Sequence, residues 1–198
     1  MAIDQIHDLQ QVYRKLLNSM SRPGTISLIE QETERVDVDF GCANALMLSA
    51  MVLLDAEVTF HVLSENRRDL IEKISEYTSA RFAPLQEADF IIVLQKDEES
   101  EILAAMAQCK IGSLIDPQQS ATWIIETTVL SNSGALLLTG PGIETEAQLS
   151  TGQSIRFWQA RDSRIKEHPM GLDMIFADGS SQIACLPRTV SAIPMEVE

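Results

Sequence analysis

Phe90-Ile-Ile-Val-Leu94 is an unbroken apolar run of strand length, framed by Asp89 and by Gln95-Lys96-Asp97. A strand with no polar face must be covered on both sides, and helices packed above and below a sheet provide that cover. The flanking sequence fits such a sheet. Val58, Phe60 and Val62 alternate with Thr59 and His61 as a strand, and Ser64 is placed to cap a helix marked by Leu70, Ile71, Ile74 and Tyr77. After the central run an acidic helix start leads to Ile102, Leu103 and Met106, a second strand-helix step.

On the N-terminal side, Ile3, Ile6, Leu9, Tyr13, Leu16, Leu17 and Met20 recur at steps of three and four, an amphipathic helix with Arg14 and Lys15 on its polar face, stopped by Pro23-Gly24. Thr25 to Ile29 alternates as a short strand, and a helix apolar nearly all round is expected from about Cys42 to Leu54. Further on, Thr122–Leu130 and Ala135–Thr139 are β-rich runs joined by Ser131-Asn132-Ser133-Gly134, which reads as a hairpin. After Gly140-Pro141-Gly142 the pattern is irregular until a helix marked by Ile155, Trp158 and Ile165 and ended by His168-Pro169; those three apolar residues are expected to face the core, leaving Arg161 and Arg164 towards solvent. Leu172–Phe176 and Ile183–Leu186 flank Asp178-Gly179 as a second hairpin. Strand-helix alternation with hairpins towards the C-terminal end implies α/β architecture, a three-layer α/β/α sandwich with a mixed sheet. With no internal repeat, low-complexity segment or linker, 198 residues read as a single domain over 1–198.

Charge narrows the function. Fifteen Lys and Arg against 29 Asp and Glu give a net charge of −14, a field that repels nucleic acid and anionic lipid, so neither is an expected partner. The longest apolar stretch, around Ala43 to Leu54, is shorter than the roughly 20 residues of a membrane span. The opening residues show no basic and apolar leader, and the reading is cytoplasmic. Cys42, Cys109 and Cys185 are odd in number and widely spaced, the look of reduced core thiols, and His7, His61 and His168 are equally scattered, so no metal site is expected.

Local chemistry is sparse. Gly140-Pro141-Gly142 after an apolar strand invites a phosphate-loop reading, but Thr145 stands where the third glycine of a dinucleotide fingerprint would fall and Glu144 and Glu146 would repel an anion; a tight structural turn is favoured. Ser163-Arg164-Ile165-Lys166 fits a serine-lysine pair one turn apart, a short pattern that arises often by chance. Arg156, Arg161, Arg164 and Lys166 gather four of the fifteen cations in one helix; a solvated face is the default reading, and docking of an acidic partner is the functional one. Arg22 before Pro23-Gly24 and Arg188 after Pro187 sit at element boundaries where an anion could be held, although structural ion pairing is the more common use.

Several pieces taken in order resemble the PhnH family, a subunit of the bacterial carbon-phosphorus lyase system for phosphonates. They are Tyr13-Arg14-x-Leu16-Leu17-x-x-Met20-Ser21-x-Pro23-Gly24, then Gly112-Ser113 with Pro117 and Ala121-Thr122, then Leu138-Thr139-Gly140-Pro141-Gly142-Ile143, then Pro169-Met170-Gly171-Leu172-Asp173, and last Leu186-Pro187-Arg188-Thr189. His168 stands where the family pattern has a bulky aromatic.

That resemblance implies a fold related to pyridoxal-phosphate-dependent transferases with the cofactor absent, and the expected cofactor complement is none. The five lysines agree: Lys15, Lys73 and Lys166 fall in helices, Lys110 opens a loop, and Lys96, alone at a strand end, is followed by Asp97-Glu98-Glu99, which would disfavour a phosphate. The resemblance also implies action with PhnG, PhnI and PhnJ, and functionally PhnL. In that set, ATP and a phosphonate yield a ribose 1-phosphonate 5-triphosphate with release of adenine, and radical cleavage on an iron-sulfur cluster belongs to PhnJ; the three distant cysteines here fit a non-radical subunit. The expected role is structural and interacting. The alternative is a decayed transferase binding its own small anion at a subunit interface through Arg22, Asp173 or Arg188; an active subunit would keep these groups around a pocket, a scaffold would lock them in ion pairs. A homodimer is expected when the chain is made alone, with the apolar helix around Leu46 to Leu54 supplying extra buried surface.

Overall fold

A computed structural model describes residues 3–64, 67–165 and 167–195. The strands are β1 (Ile26–Leu28), β2 (Thr59–Val62), β3 (Arg81–Phe82), β4 (Phe90–Val93), β5 (Thr122–Thr127), β6 (Ser131–Thr139), β7 (Ala147–Ser150), β8 (Asp173–Asp178), β9 (Gln182–Leu186) and β10 (Ser191–Pro194). The helices are α1 (His7–Ser21), α2 (Glu30–Thr33), α3 (Asn44–Leu53), α4 (Arg68–Thr78), α5 (Glu99–Gln108) and α6 (Ile155–Arg164). Seven strands form one sheet in the order β1-β9-β8-β5-β4-β2-β3, and β10-β6-β7 form a small antiparallel sheet. In the large sheet β3, β2, β4, β5 and β8 are parallel, β9 is antiparallel to β8, and β1 is antiparallel to β9, so the sheet is mixed.

The apolar run in β4 lies where its composition requires. Ile92 and Leu94 enter one core with Phe60, Val62, Ile124 and Ile175, beneath α1, α3 and α4. Ile91 and Val93 point to the other face, with Trp123, Ile125, Met174 and Phe176, beneath α5, α6 and the small sheet. Alternation along a strand thus divides one run between two cores. The all-round apolar helix is α3, whose residues from Ala45 to Met51 are buried inside the first core. Its surface is consumed within the chain and is not available to a second copy.

Several expected elements change. The runs at Thr122–Leu130 and Ala135–Thr139 do not pair with each other: β5 is central in the large sheet between β4 and β8, whereas β6 pairs with β7 and β10. The Ser131–Gly134 stretch is itself part of β6. The Asp178-Gly179 hairpin is present as β8–β9, with the buried Asp178 accepting from Ser180 N, Gln182 N and Leu130 N. Ser64 does not cap α4, which starts at Arg68 without a side-chain cap. The irregular stretches contain α2, β3, β7 and β10, all four residues long or shorter. None of the described helices is long and apolar enough to cross a membrane.

Helix α6 rotates relative to expectation. Ser154 accepts from Phe157 N as its cap, Phe157 and Trp158 are buried against Phe176, and Ile155 is 55% exposed. Arg161, three residues beyond Trp158, is buried although it was expected to face solvent. Replacing Trp158 by Ala is expected to lower stability by about 3–5 kcal/mol, read by chemical denaturation, because the indole is 1% exposed and neighbouring rings close round it.

Candidate functional site

Parallel strands give a sheet two unlike edges, and ligands of open α/β sheets bind at the carboxyl edge, where the strand order reverses. Helix α4 follows β2 on one face and α5 follows β4 on the other, so that reversal lies between β2 and β4. A cavity of about 330 Å³ opens at the carboxyl ends of β4 and β5, between the N-termini of α5 and α6. Asp97, Glu99, Glu126, Thr127 and Ser154 line it. A second hollow of about 280 Å³, beside Cys42, Arg67 and Lys96, shares Glu126.

Two carboxylates of this edge are spent on the backbone. Glu126 accepts from Ala43 N at 2.7 Å and Gln95 N at 3.1 Å, joining the start of α3 to the end of β4. Asp97 accepts from Leu94 N, and burial raises its carboxyl above the usual range. Ser154 donates to Glu99. Burial, with Glu126 beside it, pushes the Cys42 thiol up to about 12, so it is no thiolate nucleophile at neutral pH. Lys96 is exposed at the end of β4 next to these carboxylates, and the residues present do not fit a phosphate-bearing cofactor there. Ser163 Oγ donates back to Ala160 O in its own helix turn, and Lys166, its expected partner, lies outside the described residues.

The motif pieces are at the opposite, amino edge. Asp173 opens β8 and Arg188 follows β9, and the two form an ion pair. Asp173 Oδ1 accepts from Arg188 N at 2.7 Å, Oδ2 accepts from Nε at 3.0 Å and from Nη2, and Arg188 Nη1 donates to Pro117 O. Each of the three guanidinium nitrogens therefore has a partner. Around this pair the motifs touch one another through main chain. A Cβ on Gly142 would stand 2.3 Å from Ser21 O and 2.9 Å from Pro23 Cδ, and one on Gly171 would stand 3.1 Å from Arg188 Cβ, so side chains are excluded at both points. Gly140 abuts Thr189 and Val190, and Gly171 N donates to Ile111 O. The Gly140-Pro141-Gly142 segment is therefore a packing turn. Arg22 is exposed, with no side-chain hydrogen bond or ion pair among the described residues, and is not joined to Asp173 or Arg188.

The expected basic face of α6 is not a face. Arg161 is 0% exposed and donates through Nη1 to Val190 O and through Nη2 to Pro187 O, clamping the chain on both sides of Arg188. Burial pulls its guanidinium down to about 10, opposed by Asp162 and Asp173, and it stays charged at neutral pH. Arg164 is half-buried and donates to Cys109 O. Arg156 alone of the three described cations is fully at the surface. Sequence reasoning missed Glu126 and the inward turn of Arg161; a lone carboxylate within Trp123-Ile-Ile-Glu-Thr127 was the available signal for the first.

Comparison with known proteins gives two matches. The family model for PhnH, described as bacterial phosphonate metabolism protein, matches residues 2–192. A relative from Stutzerimonas stutzeri named "Putative C-P lyase subunit protein HtxG" is 28% identical over 185 residues, covering 91% of this chain and 83% of the relative.

Replacing Arg161 by Met is expected to cost about 2 kcal/mol in denaturant titration, because Val190 O and Pro187 O both lose a charged donor, Pro187 O keeping only Val190 N. Replacing Arg156 by Glu should change stability by less than about 0.5 kcal/mol.

Proposed function

The chain belongs to the PhnH family of bacterial phosphonate metabolism proteins, and we propose that it works as a structural, interacting subunit of a carbon-phosphorus lyase complex. The observation that carries this reading is the closed Asp173–Arg188 pair: the residues best placed by sequence to hold an anion neutralise each other, and the last guanidinium nitrogen is bound to Pro117 O. The name carried by the Stutzerimonas stutzeri relative supports the same reading. The alternative, a decayed pyridoxal-phosphate-type transferase with its own anionic ligand, loses two of its three proposed binding groups to that pair.

In this reading the chain is one domain of transferase-like α/β/α architecture, made and used in the cytoplasm. It joins PhnG, PhnI and PhnJ, with PhnL in support, and assists the step in which a phosphonate displaces adenine from ATP to give the ribose 1-phosphonate 5-triphosphate. It supplies shape and contacts and no reacting group. Made alone it pairs with a second copy, and Ile6, Tyr13 and Leu17, exposed along α1 at spacings of seven and four, are the seam for that pairing.

Co-expression of the tagged chain with PhnG, PhnI and PhnJ should recover all three on the tag. Adenine release from ATP and methylphosphonate should require PhnI and PhnL as well as this chain; release by the chain alone would refute the structural role. Light scattering of the isolated chain should give a dimer, and Leu17→Glu a monomer.

A further inference from the structure

Ile115 is the most exposed large apolar side chain among the described residues, at 88%, and Leu114 beside it is 58% exposed. They form the tip of the loop between α5 and β5. That tip cannot fold back to hide them. Its neck is closed by Ala121 N donating to Lys110 O at 3.0 Å and by the bridge between Ile111 and Ser120. Its turn is closed by Ser113 N donating to Asp116 O at 3.1 Å and Asp116 N to Ser113 Oγ at 3.0 Å. Gly112, at φ +76°, lets the Pro117 main chain pass where a Cβ would stand 2.6 Å from Pro117 O. Arg188 then pins Pro117 O, and Gly171 N pins Ile111 O, to the body of the amino edge. Two aliphatic side chains are thus held in water at the tip of a loop closed at its neck and its turn.

We propose that Leu114 and Ile115 are a preformed docking knob that enters an apolar socket on a different subunit of the complex, an assignment that rests on the subunit reading above. Position selects the occupant. The exposed Ile6, Tyr13 and Leu17 along α1 are the seam assigned above to a second copy, so Leu114 and Ile115, on a different element, are left for a different subunit. Asp116 is the single charged residue from Ile111 to Ser120, so the socket carries a Lys or Arg at its rim. Rigidity removes the ordering cost that a flexible loop would incur, as expected of a small anchor that dominates an interface.

The test is the double variant Leu114→Ser/Ile115→Ser, made alone and co-expressed with PhnG, PhnI and PhnJ. Alone, it should melt within about 2 °C of the parent and keep the same light-scattering mass, since both side chains are exposed. Co-expressed, recovery of the partner that binds this edge should fall at least about tenfold, while Leu114→Met/Ile115→Leu should retain it. Parent-like recovery by the serine variant would overturn the knob. So would a clearly lowered melting temperature, which would make the pair a folding element, or a changed mass of the isolated chain, which would make a second copy the occupant. Failure of the parent itself to recover any partner would instead remove the subunit reading on which the knob depends.

Discussion

Everything in this fold leans on strands that are apolar on both faces. β4, β5 and β8 lie side by side in register, and each sends alternate side chains into two different cores, so neither helical layer can be lost without exposing half of three strands. Trp123 and Ile124 are neighbours in sequence yet belong to opposite cores. The hydrophobic effect, proportional to area removed from water, therefore ties both layers to one central support.

The two edges of that support have been put to different uses. At the carboxyl edge, carboxylates outnumber cations, and Glu126 spends both oxygens on main-chain amides. At the amino edge a salt bridge and a buried arginine secure loops. Arg161 is instructive because its hydrogen bonds are to carbonyls, the nearest carboxylate oxygen being 3.9 Å away on Asp162. A guanidinium removed from water is costly unless its donors are met; the Val190 and Pro187 carbonyls take one Nη each, while Nε is buried with no partner among the described residues. The charge is retained to tie down a loop with no regular structure of its own.

Legibility in the sequence followed the strength of the local pattern. The run Phe90–Leu94 and the Asp178-Gly179 turn each had one physical reading, and each is found; α1 forms as expected, but it buries Val12, Leu16 and Ser19, while Ile6, Tyr13 and Leu17 of the expected apolar stripe stay exposed. Ser131–Gly134 failed because Ser, Asn and Gly mark a turn only when the flanking strands pair with each other; here β5 finds better partners in β4 and β8, and Asn132 donates to Gly24 O and Gln148 O. Helix α6 failed for another reason. Ile155 is apolar but sits at the first turn beside Ser154, beyond the reach of the core, while Arg161 is long enough to cross it to Pro187 and Val190. The candidate trio of Arg22, Asp173 and Arg188 could be named from motif order, but whether a carboxylate and a guanidinium meet each other or a ligand depends on tertiary distances that no spacing encodes.

The outer strands of the large sheet are its shortest: β1 has three residues and β3 two. Unpaired amides and carbonyls on an edge are a template on which another chain can add a strand, and such templates grow more dangerous with length. A ladder of two or three residues is too short to seed that growth. The borders of the main sheet therefore carry little risk of seeding polymerisation into sheet.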